Sequence, residues 1–166
     1  MNKKGIILVF QFFCIICTAF FVQFQPLAKE YDVTDFILNG QEAQYVNQNL
    51  IWLRCSAGQR WTVDETCSGQ PMLLTYDEAV LASNIASEQL NGNWRLPSRE
   101  ELEAIVCDSC GPPKINHIIF PNTPSGTFWS NTPSRKKFYW IVSFFNGNSF
   151  GVGFRTQKRY VRLVKQ

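Results

Sequence analysis

The sequence predicts an α+β domain: two short helices packed on antiparallel sheet, with a C-terminal three-stranded meander. Three observations carry that expectation. Two helix-opening signatures lie mid-chain, at Thr75 and Ser98. Near the end, a long aromatic and β-branched run is broken by Asn146-Gly147. Four cysteines, two before the helix signatures and two after them, are spaced to brace loops.

The chain of 166 residues is enough for one domain with its own core. Only 17% of its residues are charged and 14% are aromatic, a balance that excludes a disordered chain. Lys3 and Lys4 precede an apolar run from Gly5 to Val22, interrupted only by Gln11 and Thr18. That order marks residues 1–28 as a signal peptide, or as an uncleaved N-terminal anchor because the run is long. Cys17-Thr18-Ala19 suits cleavage better than Pro26-Leu27-Ala28, and bulky Ile16 argues against a lipoprotein site at Cys17. Residues 29–35 are then a linker and residues 36–166 the folded domain. Export to the periplasm, the cell surface or the medium follows, with membrane contact only through the N-terminal segment.

Phe36-Ile37-Leu38 followed by Asn39-Gly40 predicts a strand ending in a turn, and Leu50-Ile51-Trp52-Leu53 a second strand. Thr75-Tyr76-Asp77-Glu78 is a capping box. The helix it opens should turn Ala79, Ala82, Ile85, Ala86 and Leu90 inward and stop at Asn91-Gly92-Asn93. Ser98-Arg99-Glu100-Glu101 opens a shorter helix with Leu102, Ile105 and Val106 inward, and Pro97 keeps the two helices apart. From Phe128 onward the pattern is β. Phe138–Phe145 and Ser149–Phe154 flank the Asn146-Gly147 hairpin signal, and Tyr160–Val164 makes a third strand.

Export puts the chain where disulfides persist. Cys55, Cys67, Cys107 and Cys110 allow three pairings. The local one, Cys55–Cys67 with Cys107–Cys110, is preferred because each pair closes a short polar or Gly-rich loop. Cys107-Asp-Ser-Cys110 also has the spacing of a thioredoxin-like redox motif. Such a motif needs a helix N-terminus after a strand, whereas here the cysteines follow a helix and run into Gly111-Pro112-Pro113. Zinc is disfavoured by the presence of a single histidine, His117.

The net charge of +3 conceals an asymmetry. Residues 29–108 carry five basic and thirteen acidic side chains, a balance of −8, while residues 109–166 carry nine basic and no acidic ones. That division points to an anionic partner for the C-terminal third, or to neutralisation of one half by the other within the fold. A two-residue turn at Asn146-Gly147 sets Ile141 opposite Val152 and Tyr139 opposite Phe154. A turn at Gln157-Lys158 then sets Phe154 opposite Val161 and Val152 opposite Leu163. These six residues would form a core face. Trp140 would lie over Gly153 beside Arg162 on the other face. The same register gathers Arg135, Lys136, Lys137, Arg155, Lys158 and Arg159 at one end of the sheet as an anion-binding patch, with Lys165 nearby.

Several segments, taken in order, resemble the bacterial family named after the C-terminal domain of the Legionella collagen-like protein. They are Asn49 to Cys55 with Gly58-Gln59-Arg60-Trp61, Tyr76-Asp77-Glu78-Ala79, and Trp94-Arg95-Leu96-Pro97-Ser98 with Glu101-Leu102. The series continues through Phe120 to Pro124, Phe128-Trp129-Ser130, Val142 to Gly147 and Tyr160 to Val164, covering about residues 36–165. The resemblance implies a surface module with a fold similar to C-type lectin-like domains, used for binding and adhesion; the namesake is an adhesin for sulfated glycans. Two departures matter. This chain has no collagen-like repeat. It also lacks the calcium signatures of true C-type lectins, since Trp129-Ser130-Asn131 and Gln70-Pro71-Met72 miss the expected oxygen ligands.

Catalysis would require a nucleophile with its base, paired carboxylates or a metal. His117 has no evident partner, and Glu100, Glu101 and Glu103 suit the first turn of a helix. A formylglycine-generating oxidase on a lectin-like fold needs a cysteine pair placed differently from Cys107 and Cys110. No cofactor is expected. Trp94-Arg95-Leu96-Pro97 is assigned to the helix–sheet interface, with Arg95 pairing a carboxylate. Trp52, Trp129 and Trp140 are assigned to the core, and Trp61, inside the Cys55–Cys67 loop, is the tryptophan best placed to stack on a sugar. The expected protein is thus a non-catalytic module recognising an anionic polysaccharide. The alternative is an assembly subunit, a homo-oligomer included, that uses the same patch against an acidic protein surface. Export argues against nucleic acid as the partner.

Overall fold

A computed structural model describes residues 35–166. The expected signal peptide or anchor and nearly all of the expected linker lie outside the described residues. In chain order the strands are β1 (Phe36–Asn39), β2 (Glu42–Tyr45), β3 (Leu50–Leu53), β4 (Arg60–Trp61), β5 (Cys67–Ser68), β6 (Thr127–Pro133), β7 (Phe138–Ser143), β8 (Ser149–Phe154) and β9 (Val164–Lys165). Helices α1 (Tyr76–Gln89) and α2 (Arg99–Ala104) lie between β5 and β6. They build three antiparallel sheets: β1-β2-β3-β9, the small ribbon β4-β5, and the meander β6-β7-β8.

Local chemistry explains most elements. Gly40, at φ +53°, makes the turn that pairs Asn39 with Glu42. β2 was not expected, because its inward residues are Ala43 and Tyr45 and an alanine hardly marks an alternation. Both capping boxes form. The Thr75 and Ser98 hydroxyls accept from the N–H groups of Glu78 and Glu101, whose carboxylates accept from the two cap N–H groups at 2.8 and 2.7 Å. α2 turns Leu102 inward, with Ile105 and Val106 buried just beyond it. On α1 the expected stripe forms at all but one position: Ala79 is buried and Ala82, Ala86 and Leu90 pack partly buried against the core, whereas Ile85 is 43% exposed. Tyr76 and Ser83 are buried beside them, the Tyr76 ring stacked on Tyr139 at the first turn.

Cys55–Cys67 and Cys107–Cys110 are the disulfides, as the local pairing anticipates. One core cluster gathers Trp52, Leu102, Phe120, Phe128 and Phe144 between the four-stranded sheet and α2. The other gathers Trp94, Trp129, Ile141, Val161 and Leu163 under α1.

The hairpin register departs from the one expected. Ile141 pairs with Phe150 and Tyr139 with Gly153, so two residues of β8 oppose Trp140 in a bulge. Two causes are visible. Phe144 is pulled wholly into the core, its ring 4.9 Å from Phe128, which widens the turn to residues 144–148. The β8 glycines also admit close neighbours. A Cβ on Gly153 would stand 2.5 Å from the Trp129 ring, and one on Gly151 would clash with the Ser134 hydroxyl. Trp129, not Trp140, therefore covers Gly153. Val152 and Phe154 consequently lie 51% and 37% exposed, outside the core face expected of them.

Tyr160–Val164 is not the third strand beside β8. Val161, Arg162, Leu163 and Val164 are all buried, as befits a segment passing between the sheets without a solvent face. Its backbone bonds reach both sides. Trp129 N–H donates to Tyr160 O and Ala57 N–H to Val161 O, while Leu53 N–H donates to Leu163 O and Arg95 exchanges two bonds with Val164. Arg162, expected beside Trp140, instead lies at the centre of this seam.

Candidate functional site

The β6–β7 connection is tight: Ser134 N–H donates to Phe138 O at 3.0 Å and Phe138 N–H to Arg135 O at 2.8 Å. Closing it puts Lys137 at φ +67°, a conformation uncommon for a residue with a side chain. Arg135, Lys136 and Lys137 are exposed on this turn. Pairing of Phe138 with Phe154 delivers Arg155 beside them as β8 ends. The four cations line one cavity of about 340 Å³ with Pro133, Phe138 and Tyr139.

Its floor is aromatic. The Arg135 guanidinium lies 4.5 Å from the Phe138 ring centre, and Arg155 lies 5.3 Å from Tyr76 and 5.9 Å from Tyr139. Tyr76 and Tyr139 are stacked at 3.6 Å. Burial, and then the hydrogen bond with Tyr139, raise the Tyr76 phenol above its usual range, so it stays neutral. The α1 N-terminus is fastened here by the Tyr76 N–H bond to Arg155 O at 3.0 Å.

The other residues anticipated for the patch are placed differently. Lys158 is exposed and acts electrostatically on Glu78. Arg159 is half-buried 5.9 Å from the Trp129 ring, its guanidinium donating to Lys158 O and to Gln157 Oε1. Burial lowers its pKa. Lys165 lies apart, 2.8 Å from Glu42 and 4.4 Å from the Trp94 ring. Trp61 does not join the cations: Arg54 backs its ring at 4.1 Å and it borders a different cavity.

Acidic neighbours also correct the expectation of an unneutralised cluster. No carboxylate follows Asp108 in the sequence, yet α1 carries Asp77 to Arg155, where the two form an exposed ion pair. Two of the six anticipated cations thus face a carboxylate, Arg155 that of Asp77 and Lys158 that of Glu78. Asp77, Tyr76 and Tyr139 are the site residues the sequence reading missed. The capping box marks where α1 begins but carries no sign of what its first turn faces.

Several titratable groups elsewhere are bound into the scaffold. Arg95 donates to both Glu101 oxygens at 2.8 and 2.7 Å, between buried Trp94 and Leu96. Glu100 pairs with Arg99, and Glu103 with Arg99 and the Ser149 hydroxyl. His117 is exposed. Among the described residues no three His, Cys, Asp or Glu side chains converge as a metal site would require. The Cys107–Cys110 loop is fastened by Lys114 Nζ, which donates to Asp108 O at 2.8 Å and Cys110 O at 3.2 Å.

A disulfide-braced α+β domain with a cation-lined sheet end is the class these features define. Within it, the chain belongs to the Lcl C-terminal domain family, whose model matches residues 44–165, from β2 to β9. Among curated proteins none matches the chain.

Proposed function

We propose that the domain is an exported, non-catalytic module that binds sulfated polysaccharides through its basic sheet end, on a scaffold of the C-type lectin-like kind. One observation carries this reading: Arg135, Lys136, Lys137 and Arg155, from two separate connections, line one open cavity with an aromatic floor. Arginine offers sulfate a bidentate fork, lysine a mobile point charge, and the aromatic rings a surface for the apolar faces of pyranoses. Each exposed contact is weak. Affinity therefore comes from several sulfates engaged at once and falls as salt screens them. Membership of the Lcl C-terminal domain family supports the same ligand class.

A glycan array with the disulfide-intact domain tests this. The expected result is binding that rises with sulfation and vanishes on desulfated chains, by a protein of unchanged mass in solution. Equal binding to all acidic polymers, or binding only to a second copy of the chain, overturns it.

A further inference from the structure

A larger cavity of about 550 Å³ lies between the Cys55–Cys67 loop and α1. Its lining is largely apolar: Trp61, Met72, Ile85, Ala86 and Leu163 contribute, and Arg60 carries the only formal charge among the lining residues. Its walls are set in advance. The Cys55–Cys67 bond closes one of them, and Met72 N–H donates to Ala57 O at 2.8 Å. Gly58, at φ +91°, packs so closely that a Cβ there would stand 2.5 Å from Met72 Cγ and 2.7 Å from Gln70 O. Trp61 is backed by the Arg54 guanidinium, which is held by the carbonyls of Gly40, Ile118 and Ile119. At the mouth, Met72 is 49% and Ile85 43% exposed. Arg60 is exposed and in no ion pair among the described residues.

We infer that this cleft is a second binding site, separate from the basic sheet end, for a small amphiphilic anion with an alkyl or aryl body and one carboxylate or sulfonate. The volume is that of small-molecule pockets. A polyhydroxylated sugar would lose more hydration against the largely apolar lining than the few polar side chains there, Gln41, Ser56, Gln59 and Gln89, could return in hydrogen bonds. The lone cation favours a ligand with one negative charge, whereas a polysulfated chain finds more cations at the sheet end. Glu65, whose charge acts on Arg54, does not line the cavity.

The test titrates the full, disulfide-intact chain with 8-anilinonaphthalene-1-sulfonate, following its fluorescence, and then displaces the dye with decanoate. Near-ultraviolet circular dichroism certifies the native packing of every variant. One saturable site emptied by decanoate is expected. Arg60→Gln should weaken the dye about threefold to fivefold, as loss of one exposed charge contact does. Ile85→Gln, at a half-exposed position on a capped helix, should weaken it further, and both variants should retain the parent's affinity for heparin. Unsaturable fluorescence, or a titration that neither substitution alters in natively packed protein, overturns the inference. Because heparin binding is measured separately, failure here leaves the sheet-end proposal standing, and the reverse also holds.

Discussion

Replacing Arg162 with methionine should destabilise the fold sharply, although methionine is the less costly side chain to bury. Arg162 is fully buried, and burial draws its pKa down to about 9, so it is still charged at neutral pH. Among the described residues no carboxylate pairs with it. Its guanidinium donates to Leu53 O at 2.9 Å, to Arg54 O, to Ser56 Oγ at 3.4 Å and to Thr123 Oγ1 at 2.6 Å, and it packs 4.6 Å from the Phe120 ring. Removing the charge relieves a desolvation penalty of several kcal/mol. The two backbone carbonyls stay behind, however, and no substitution removes them. Orphaning each costs about 1–3 kcal/mol, and the charge-assisted bonds to the hydroxyls are lost as well. The net expectation is a loss of about 2–4 kcal/mol, which lowers Tm by roughly 8–15 °C in a domain of this size. Arg162→Lys should fall short too, since one ammonium cannot span four acceptors set for a planar fork. Thermal melts followed by circular dichroism measure both variants. A methionine variant melting within 2 °C of the parent, or above it, would refute the claim that this side chain ties β3 to the C-terminal seam.

Three further outcomes are expected. Burial alone would raise the Glu101 pKa, but the bonds from Arg95 and Ser98 outweigh it and hold the carboxyl below its usual range. Its stabilising effect is therefore present above the unfolded-state value and is lost as pH falls through the lower folded value; Glu101→Gln should flatten that part of the acid limb in stability measured against pH. Replacing Cys55 and Cys67 together with serine should cost about 2–4 kcal/mol in chemical denaturation, with reduced parent protein showing a similar loss. Asp77→Asn frees Arg155 from its carboxylate, so heparin elution should move to higher salt; unchanged elution would mean that Arg155 takes no part in binding.

The parts of the fold legible in the sequence were those specified by neighbours along the chain. Thr75 and Glu78, or Ser98 and Glu101, need only three residues' separation to announce a helix start, and both caps form as the pattern requires. The Cys55–Cys67 and Cys107–Cys110 loops are likewise local. What escaped was set by distant partners. The hairpin register turned on Phe144 finding Phe128 and on Trp129 finding Gly153, neither of which the Asn146-Gly147 signal encodes. Tyr160–Val164 looked like a strand because buried chain of any kind is rich in Val and Leu. At the candidate site, Arg135, Lys136, Lys137 and Arg155 do meet, since antiparallel pairing of β7 and β8 needs no exact register for that. Asp77 arrived from the first turn of α1, whose neighbour across the fold the capping box does not specify.

The basic sheet end is tested most directly by one comparison. Parent protein and the variant carrying Arg135→Ser, Lys136→Ser and Lys137→Ser are titrated with a size-defined heparin fragment at several salt concentrations, with a melt recorded for each. The cluster lies on an exposed turn, so the variant should melt within about 2 °C of the parent, as surface changes do. Its affinity should fall at least tenfold and its salt dependence should become shallower by about two to three released counterions. Equal affinity and equal salt dependence in the two proteins would contradict the proposal and leave Arg135, Lys136 and Lys137 as a solvated turn.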